Sequence, residues 1–161
     1  MNRVVYSTVE MQDLVVKKVE KDDLSKLLEL YTHLNVNPYP TVDKLIEDIW
    51  ERILNEKNHY ILGGYIDEKL VSTCAITIIE NLTHQQTPYA LIENVVTNPD
   101  YRNKGYGSLV LNVARDIAIK NNCHKIILVT GSKKESTLNF YKNAGYDQNE
   151  KTAFIQRLST K

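Results

Sequence analysis

Two glycines separate a β-rich stretch from a long apolar-periodic one in "YALIENVVTNPDYRNKGYGSLVLNVARDIAIKNN", Tyr89 to Asn122, and a third run, "HKIILVTG", follows. A strand-like run that feeds a helical run and then another strand-like run predicts one strand–helix–strand crossover, the connection whose hand folds fix. The run "HKIILVTG" is almost continuously apolar, which predicts a strand buried on both faces. Val110, Val113, Ala114 and Ile117 recur at helical spacing between the strands.

The remaining elements arrange themselves around this crossover. "DLVVKKVE" reads as a strand. "KDDLSKLLELYTHLN" places Leu24, Leu27, Leu28, Tyr31 and Leu34 on one helical face, and "VNPYP" ends it, because Pro38 and Pro40 push their predecessors out of the helical region. Thr41 is the expected cap of a second helix, whose apolar side is Leu45, Ile49 and Ile53 with Trp50 nearby. Two strand-like runs around "DEK" predict a hairpin, and "THQQTP" a polar loop. "SKKESTLNFYKNAG" reads as a helix with a Ser132–Glu135 capping box and Gly145 at its end, and "TAFIQRL" as a closing strand. The order is strand, two helices, hairpin, strand, helix, strand, helix, strand: a mixed α/β domain.

Composition excludes several functions. Twenty Lys and Arg balance twenty Asp and Glu, so there is no electrostatic case for nucleic-acid or membrane binding. No apolar run approaches the roughly 20 residues that span a bilayer, and the N-terminus lacks an apolar signal core. The two cysteines, Cys74 and Cys123, lack metal-ligand spacing. A reduced cytoplasmic protein without a metal is the expectation.

The glycine loop admits three readings: a plain loop entering a helix, a nucleic-acid-binding strand, or a backbone nest for phosphate. RNA recognition fails because Ser108 and Leu111 stand where stacking rings are needed. The nucleotide-hydrolase phosphate loop fails because no Gly-Lys-Ser/Thr follows, and the dinucleotide fingerprint because the third glycine is missing. The phosphate nest survives. Gly105 and Gly107 permit backbone conformations and close approach that a β-carbon blocks. A helix start offers free N–H groups and partial positive charge, beside Arg102 and Lys104.

"RNKGYG" also fits Arg/Gln-x-x-Gly-x-Gly/Ala, and thereby resembles the acyl-CoA loop of the GNAT superfamily of N-acetyltransferases. "IENVVTNPDY" is similar to that family's central strand, "CHKIILVTG" to its fifth strand, and "NFYKNAGY" to its Phe/Leu-Tyr-x-x-x-Gly-Phe/Tyr helix end. The similarity is strong over Leu91 to Tyr146. Lys134 and Thr137 stand where many relatives have Asn and Ala against the pantetheine arm, so no side-chain contact there is carried over. The resemblance implies an α/β (α+β) fold of GNAT type, a mixed and mostly antiparallel central sheet flanked by helices on both faces. It implies one domain over residues 1–161, with the first ~12 residues an extension.

The implied reaction is acetyl transfer from acetyl-CoA, a co-substrate, to a primary amine, directly and without metal. The resemblance places cofactor contacts on the backbone of Val95, Val96 and Thr97 and on the loop residues Arg102, Asn103, Lys104, Gly105, Tyr106, Gly107 and Ser108. The amine must lose a proton. Glu93 is the candidate base, since burial in an apolar strand would raise its pKa toward neutrality. His59, His84 and His124 are rival bases that no motif places. Tyr141 matches the family's general-acid tyrosine and is protonated at neutral pH by its ordinary pKa. An acyl-cysteine route is disfavoured, as neither Cys74 nor Cys123 has an activating His/Asp pattern.

Acceptor specificity is expected from the first two helices, "NVNPYP" and "ENLTHQQTPY". "IENVV" and "CHKIIL" loosely resemble glucosamine-6-phosphate N-acetyltransferases, with Asn94 where that group has Asp; Lys125 and Arg157 are then candidate phosphate contacts. Aminoglycosides, polyamines, amino acids and peptide N-termini stay open, as does a non-catalytic acyl-CoA sensor. A homodimer is implied by the resemblance alone.

Overall fold

The computed structural model describes residues 14–34 and 38–158. The expected N-terminal extension and residues 35–37 of "NVNPYP" lie outside them. A single sheet runs in the order β1 (Val15–Lys18), β2 (His59–Ile66), β3 (Lys69–Ile79), β4 (Tyr89–Thr97), β5 (Ile126–Leu128). All neighbours pair antiparallel except β4 and β5, which are parallel. Helices α1 (Leu24–Tyr31) and α2 (Lys44–Asn55) follow β1, α3 (Tyr106–Lys120) joins β4 to β5, and α4 (Glu135–Asn143) follows β5. This is the expected mixed sheet.

The period-2 alternation of the strands divides the core in two. One face carries Leu62, Cys74, Ile76, Ala90 and Ile92 under Val110, Val113 and Ile117 of α3. The other carries Ile61, Ala75 and Val96 under Leu27 and Leu30 of α1 and Trp50 of α2. Each such side chain fully withdrawn from water contributes about 1.5–3 kcal/mol, so α3, with its buried row from Leu109 to Ala118, is the main brace of the sheet. The hairpin turns on Asp67 and Glu68, both at positive φ (45° and 64°), the twist that two-residue hairpins favour.

Several local expectations are corrected. Asp43, not Thr41, caps α2: its side chain accepts the Ile46 N–H at 3.0 Å. Trp50 is the buried member of that helix and its indole N–H donates to the Lys21 carbonyl at 3.0 Å, whereas Leu45 and Ile49 remain 63% and 39% exposed. β5 is half-buried, because it forms the edge of the sheet rather than an interior strand. The Ser132–Glu135 box does not form; Ser132 accepts the Lys134 N–H two residues upstream of the helix, at 3.3 Å. "TAFIQRL" is irregular and exposed instead of a strand, since no strand among the described residues pairs with it.

The buried carboxylate of Asp23 joins the short helical turn Lys21–Asp23 to the sheet. It accepts the Tyr65 hydroxyl at 2.7 Å, the Glu20 N–H at 2.9 Å and the Lys26 ammonium at 3.2 Å. Burial alone would push its pKa up, but these donors together hold it below the ordinary value. A depressed folded-state pKa stabilises above the unfolded value, and that contribution is lost as pH falls through the folded one. Asp23→Ala should therefore cost about 1.5–3 kcal/mol at neutral pH. Urea titrations of both proteins should show the gap narrowing in acid; a gap independent of pH would assign the loss to packing.

Candidate active site

The centre of β4 is irregular. Its register against β3 pairs Thr73 with Val96 and Ala75 with Glu93, so Asn94 and Val95 together face the one residue between, Cys74. This is a β-bulge. Asn94 takes the left-handed conformation, φ 54°, which asparagine tolerates better than most residues. On its other side β4 pairs with β5 only at Ala90, Leu91 and Ile92. Past Ile92 the two strands part. The Asn98 N–H bonds the Val71 carbonyl at 2.9 Å, so by alternation the Val96 N–H also faces β3, while those of Val95 and Thr97 face the opening. Backbone donors there have no ladder partner and are available to a ligand.

The loop after β4 closes one end of this opening. The Arg102 Nε–H donates to the Thr97 carbonyl at 3.1 Å, tying loop to strand. Asn103 and Gly105 are both left-handed, φ 60° and 80°, and this turns successive N–H groups toward one side. The first bond of α3 runs from the Leu109 N–H to the Gly105 carbonyl, 3.1 Å. The N–H groups of Tyr106, Gly107 and Ser108 therefore have no partner within the helix. Arg102, Asn103 and Lys104 are exposed, and Lys69 and Lys104 flank the Tyr101 ring at 5.1 and 5.2 Å. A row of free amides, a helix start and a cationic rim fit a pyrophosphate.

Gly107 has a reason the sequence reading did not supply. A β-carbon there would stand 3.1 Å from the Phe140 ring and 3.2 Å from the Thr97 hydroxyl. The missing side chain lets α4 lie against the start of α3. That contact positions Tyr141, whose ring lies 5.0 Å from Phe140 and 6.2 Å from Tyr146. Below it, the Tyr146 and Gly145 N–H groups bond the Tyr141 and Lys142 carbonyls at 3.1 and 2.9 Å, with Gly145 at φ 92°, a Schellman end. Tyr141 is half-buried. Burial, then the Cys74 thiol and the Glu93 carboxylate, push its phenol up.

Glu93 is exposed, and the burial expected to raise its pKa does not occur. The Cys74 thiol is fully buried and pushed up to about 12 by desolvation, and Cys123 is also raised. Neither has the thiolate character that a nucleophile needs.

On the sheet face that carries α1 and α2, a cavity of about 610 Å³ reaches the bulge. Asn94 belongs to its wall, as do Tyr31 from α1, Ile53 from α2, Ile61 from β2 and Ala75 from β3. Burial pushes the Tyr31 phenol up to about 12, with the Asn94 side chain pulling the other way. His59 is also in this wall, its Nδ1 2.7 Å from the Thr77 hydroxyl; burial and Lys18 lower its pKa, so it is neutral at pH 7. Arg52 and Glu56 complete the rim, and the sequence reading missed both. His84 and His124 stack on each other at 4.3 Å, and His124 contacts Pro88 at the opposite end of β4. Lys125 lies over Tyr89 at that same end, 5.6 Å away, and Arg157 sits in the exposed C-terminal segment. None of these four is brought to the bulge.

The comparisons with known proteins agree with this geometry. The model of the acetyltransferase (GNAT) family matches residues 24–146. The chain is 28% identical over 147 residues to a glucosamine 6-phosphate N-acetyltransferase of Trypanosoma brucei brucei, covering 88% of this chain and 95% of that protein. A solved structure from Agrobacterium tumefaciens, classed as an acetyltransferase, superposes with a TM-score of 0.82 at 32% identity, covering 88% of this chain and 99% of the other. Glucosamine-6-phosphate N-acetyltransferase from Arabidopsis thaliana shares the fold, TM-score 0.80 at 21% identity, over 92% of this chain and 100% of its own. The bulged and splayed central strand, the glycine loop at its end and the family match together make this chain a member of the GNAT acetyltransferase family.

Proposed function

We propose that the protein, as one acetyltransferase domain, moves the acetyl group of acetyl-CoA directly to a primary amine. What carries this reading is the opening past Ile92, where free backbone donors of β4 lead straight to the free amides at the start of α3. The pantetheine arm would lie along Val95–Thr97 as an added strand, and the pyrophosphate at Arg102–Ser108. In this reading backbone donors within Val95–Thr97, the Val95 N–H first among them, would stabilise the thioester oxygen as it gains charge. Lys104→Glu should lower acetyl-CoA affinity roughly tenfold at low salt and less at high salt. Calorimetric titration at two ionic strengths checks this; unchanged affinity would put the phosphates elsewhere.

In this reading Glu93 takes the proton of the attacking amine, directly or through water, and Tyr141 gives one to the departing sulfur. The support for Tyr141 is a phenol kept protonated by burial and lying within the field of Glu93. Tyr141→Phe should lower turnover about ten-fold to a thousand-fold with acetyl-CoA affinity kept, whereas Glu93→Gln should slow the reaction at neutral pH and recover as pH rises and free amine accumulates. Single-turnover rates across pH separate the two. If both profiles match the wild type, the proton transfers belong to other groups, with His59 the first to test.

An amino-sugar phosphate acceptor is the second reading, favoured by the Trypanosoma relative. A non-catalytic acyl-CoA sensor would bind acetyl-CoA and release no thiol with any amine. The two free cysteines support a reducing compartment, the cytoplasm; among the described residues no helix is long and apolar enough to cross a membrane. A homodimer is supported by the open β5 edge and by Phe154, Ile155 and Leu158, which are 92%, 67% and 79% exposed. Sedimentation velocity should give twice the chain mass, and Phe154→Asp with Leu158→Asp should return it to the monomer; a monomeric wild type at micromolar concentration would overturn the pairing.

A further inference from the structure

The proposed function leaves the acceptor unnamed, and the cavity beside the bulge bears on its chemistry. Its volume, about 610 Å³, is in the range of small-molecule sites, roughly 300–1,000 Å³. Its walls are chiefly aliphatic: Leu24 and Leu28 from α1, Ile49 and Ile53 from α2, and Ile61 from the sheet. Ile49 of α2 is 39% exposed at the cavity mouth, apolar surface that a bound molecule would cover. Among the described residues of the wall, polar groups are few and lie at two places. Tyr31 and Asn94 meet at the bulge, and Arg52, Glu56 and His59 gather at the other end.

A phosphate monoester carries about −1.5 to −2 charges at pH 7 and needs several cations or a nest of amides. The wall offers Arg52 with a carboxylate, Glu56, on the same rim, and an imidazole already engaged by Thr77 at 2.7 Å. Lys125, a candidate phosphate contact on sequence grounds, lies at the far end of β4 over Tyr89. Among the described residues of the wall the charge is close to balanced, Arg52 against Glu56, and most of the lining is hydrocarbon. Continuity with the transfer site fixes the orientation: Asn94 is both bulge residue and cavity wall, so an amino group beside Asn94 lies next to the opening past Ile92, with the rest of the molecule among α1 and α2.

We infer that the acceptor is a primary amine borne on an apolar body, of the phenethylamine or branched alkylamine kind, with its amino group at Asn94 and its hydrocarbon between α1 and α2. The inference rests on the acetyl-transfer reading. The amine nitrogen bonds to the acetyl carbon, the carbon–sulfur bond breaks, the sulfur leaves with the bonding pair and is protonated, and the nitrogen gives up one proton; no oxidant or further co-reactant is required.

The test follows thiol release by the full chain at saturating acetyl-CoA, with phenethylamine, isoamylamine, putrescine and glucosamine 6-phosphate as acceptors. The kcat/KM for phenethylamine should exceed that for glucosamine 6-phosphate roughly tenfold or more, the scale of discrimination an apolar pocket gives. Ile49→Glu, a change at the exposed rim, should lower kcat/KM for phenethylamine by a similar factor through KM. The acetyl-CoA dissociation constant, measured on the same sample, reports that the variant is folded. A preference for glucosamine 6-phosphate or putrescine, or an Ile49→Glu variant with undiminished phenethylamine kinetics, overturns the inference and leaves acetyl transfer standing. Thiol release with no amine at all overturns both.

Discussion

The extra residue of β4 at Asn94 changes what the backbone on each side of it can bond to. A regular strand between β3 and β5 would have every N–H and C=O satisfied and nothing left for a ligand. With Asn94 left-handed at φ 54°, the strand bends and its pairing with β5 stops at Ile92. The Val95 and Thr97 donors then face a gap rather than a neighbour. The same kink turns Asn94 toward the α1–α2 face, where it enters the cavity wall. One departure from sheet geometry thus joins a gap lined by backbone donors to the cavity under α1 and α2; in the proposed reaction the first would hold the thioester and the second the acceptor.

Such a gap is stable only if the strands around it are held by something other than each other. The row of buried side chains on α3 provides this, since they pack on β2, β3 and β4 together. The two glycines at the helix start have distinct duties. Gly105 supplies a left-handed φ of 80° that lets the loop turn into the helix. Gly107 supplies space, because Phe140 and Thr97 occupy where its side chain would be. The free amides at the start of α3, proposed to receive the phosphates, and the helix that carries Tyr141 are therefore fixed by one contact.

The order of elements as far as α4, the hairpin and the strand–helix–strand crossover were legible because each has a local cause: alternation, a polar turn, the spacing of apolar runs. The candidate residues of the glycine loop were legible for the same reason. What escaped the sequence depended on neighbours. The cap of α2 moved to Asp43 because its carboxylate reaches Ile46. β5 reads as an interior strand, yet it is an edge, and the apolar residues of "TAFIQRL" have no strand partner among the described residues. Glu93 looked buried between apolar neighbours, but a bulge follows it and the strand beside it departs, so it meets water. His59 could not be placed, because its position in the cavity wall comes from the β2–β3 register, His59 opposite Thr77.

The exposure of Glu93 bears on the choice of acceptor. Withdrawing water from a carboxylate strengthens its hold on a proton, and the chain alone does not withdraw it. In the proposed reaction, with Glu93 as the base, the bound substrates would do so. A hydrophilic amino sugar would bring its own hydroxyls and hydration into the cavity and keep the bulge wet. An apolar body seated among Leu28, Ile53 and Ile61 would dry the face on which Asn94 and Tyr31 stand, while the pantetheine arm covers the opening on the other side. The carboxylate would then become a better base only when both substrates are in place. That coupling would also favour acetyl transfer to the amine over loss of the acetyl group to water.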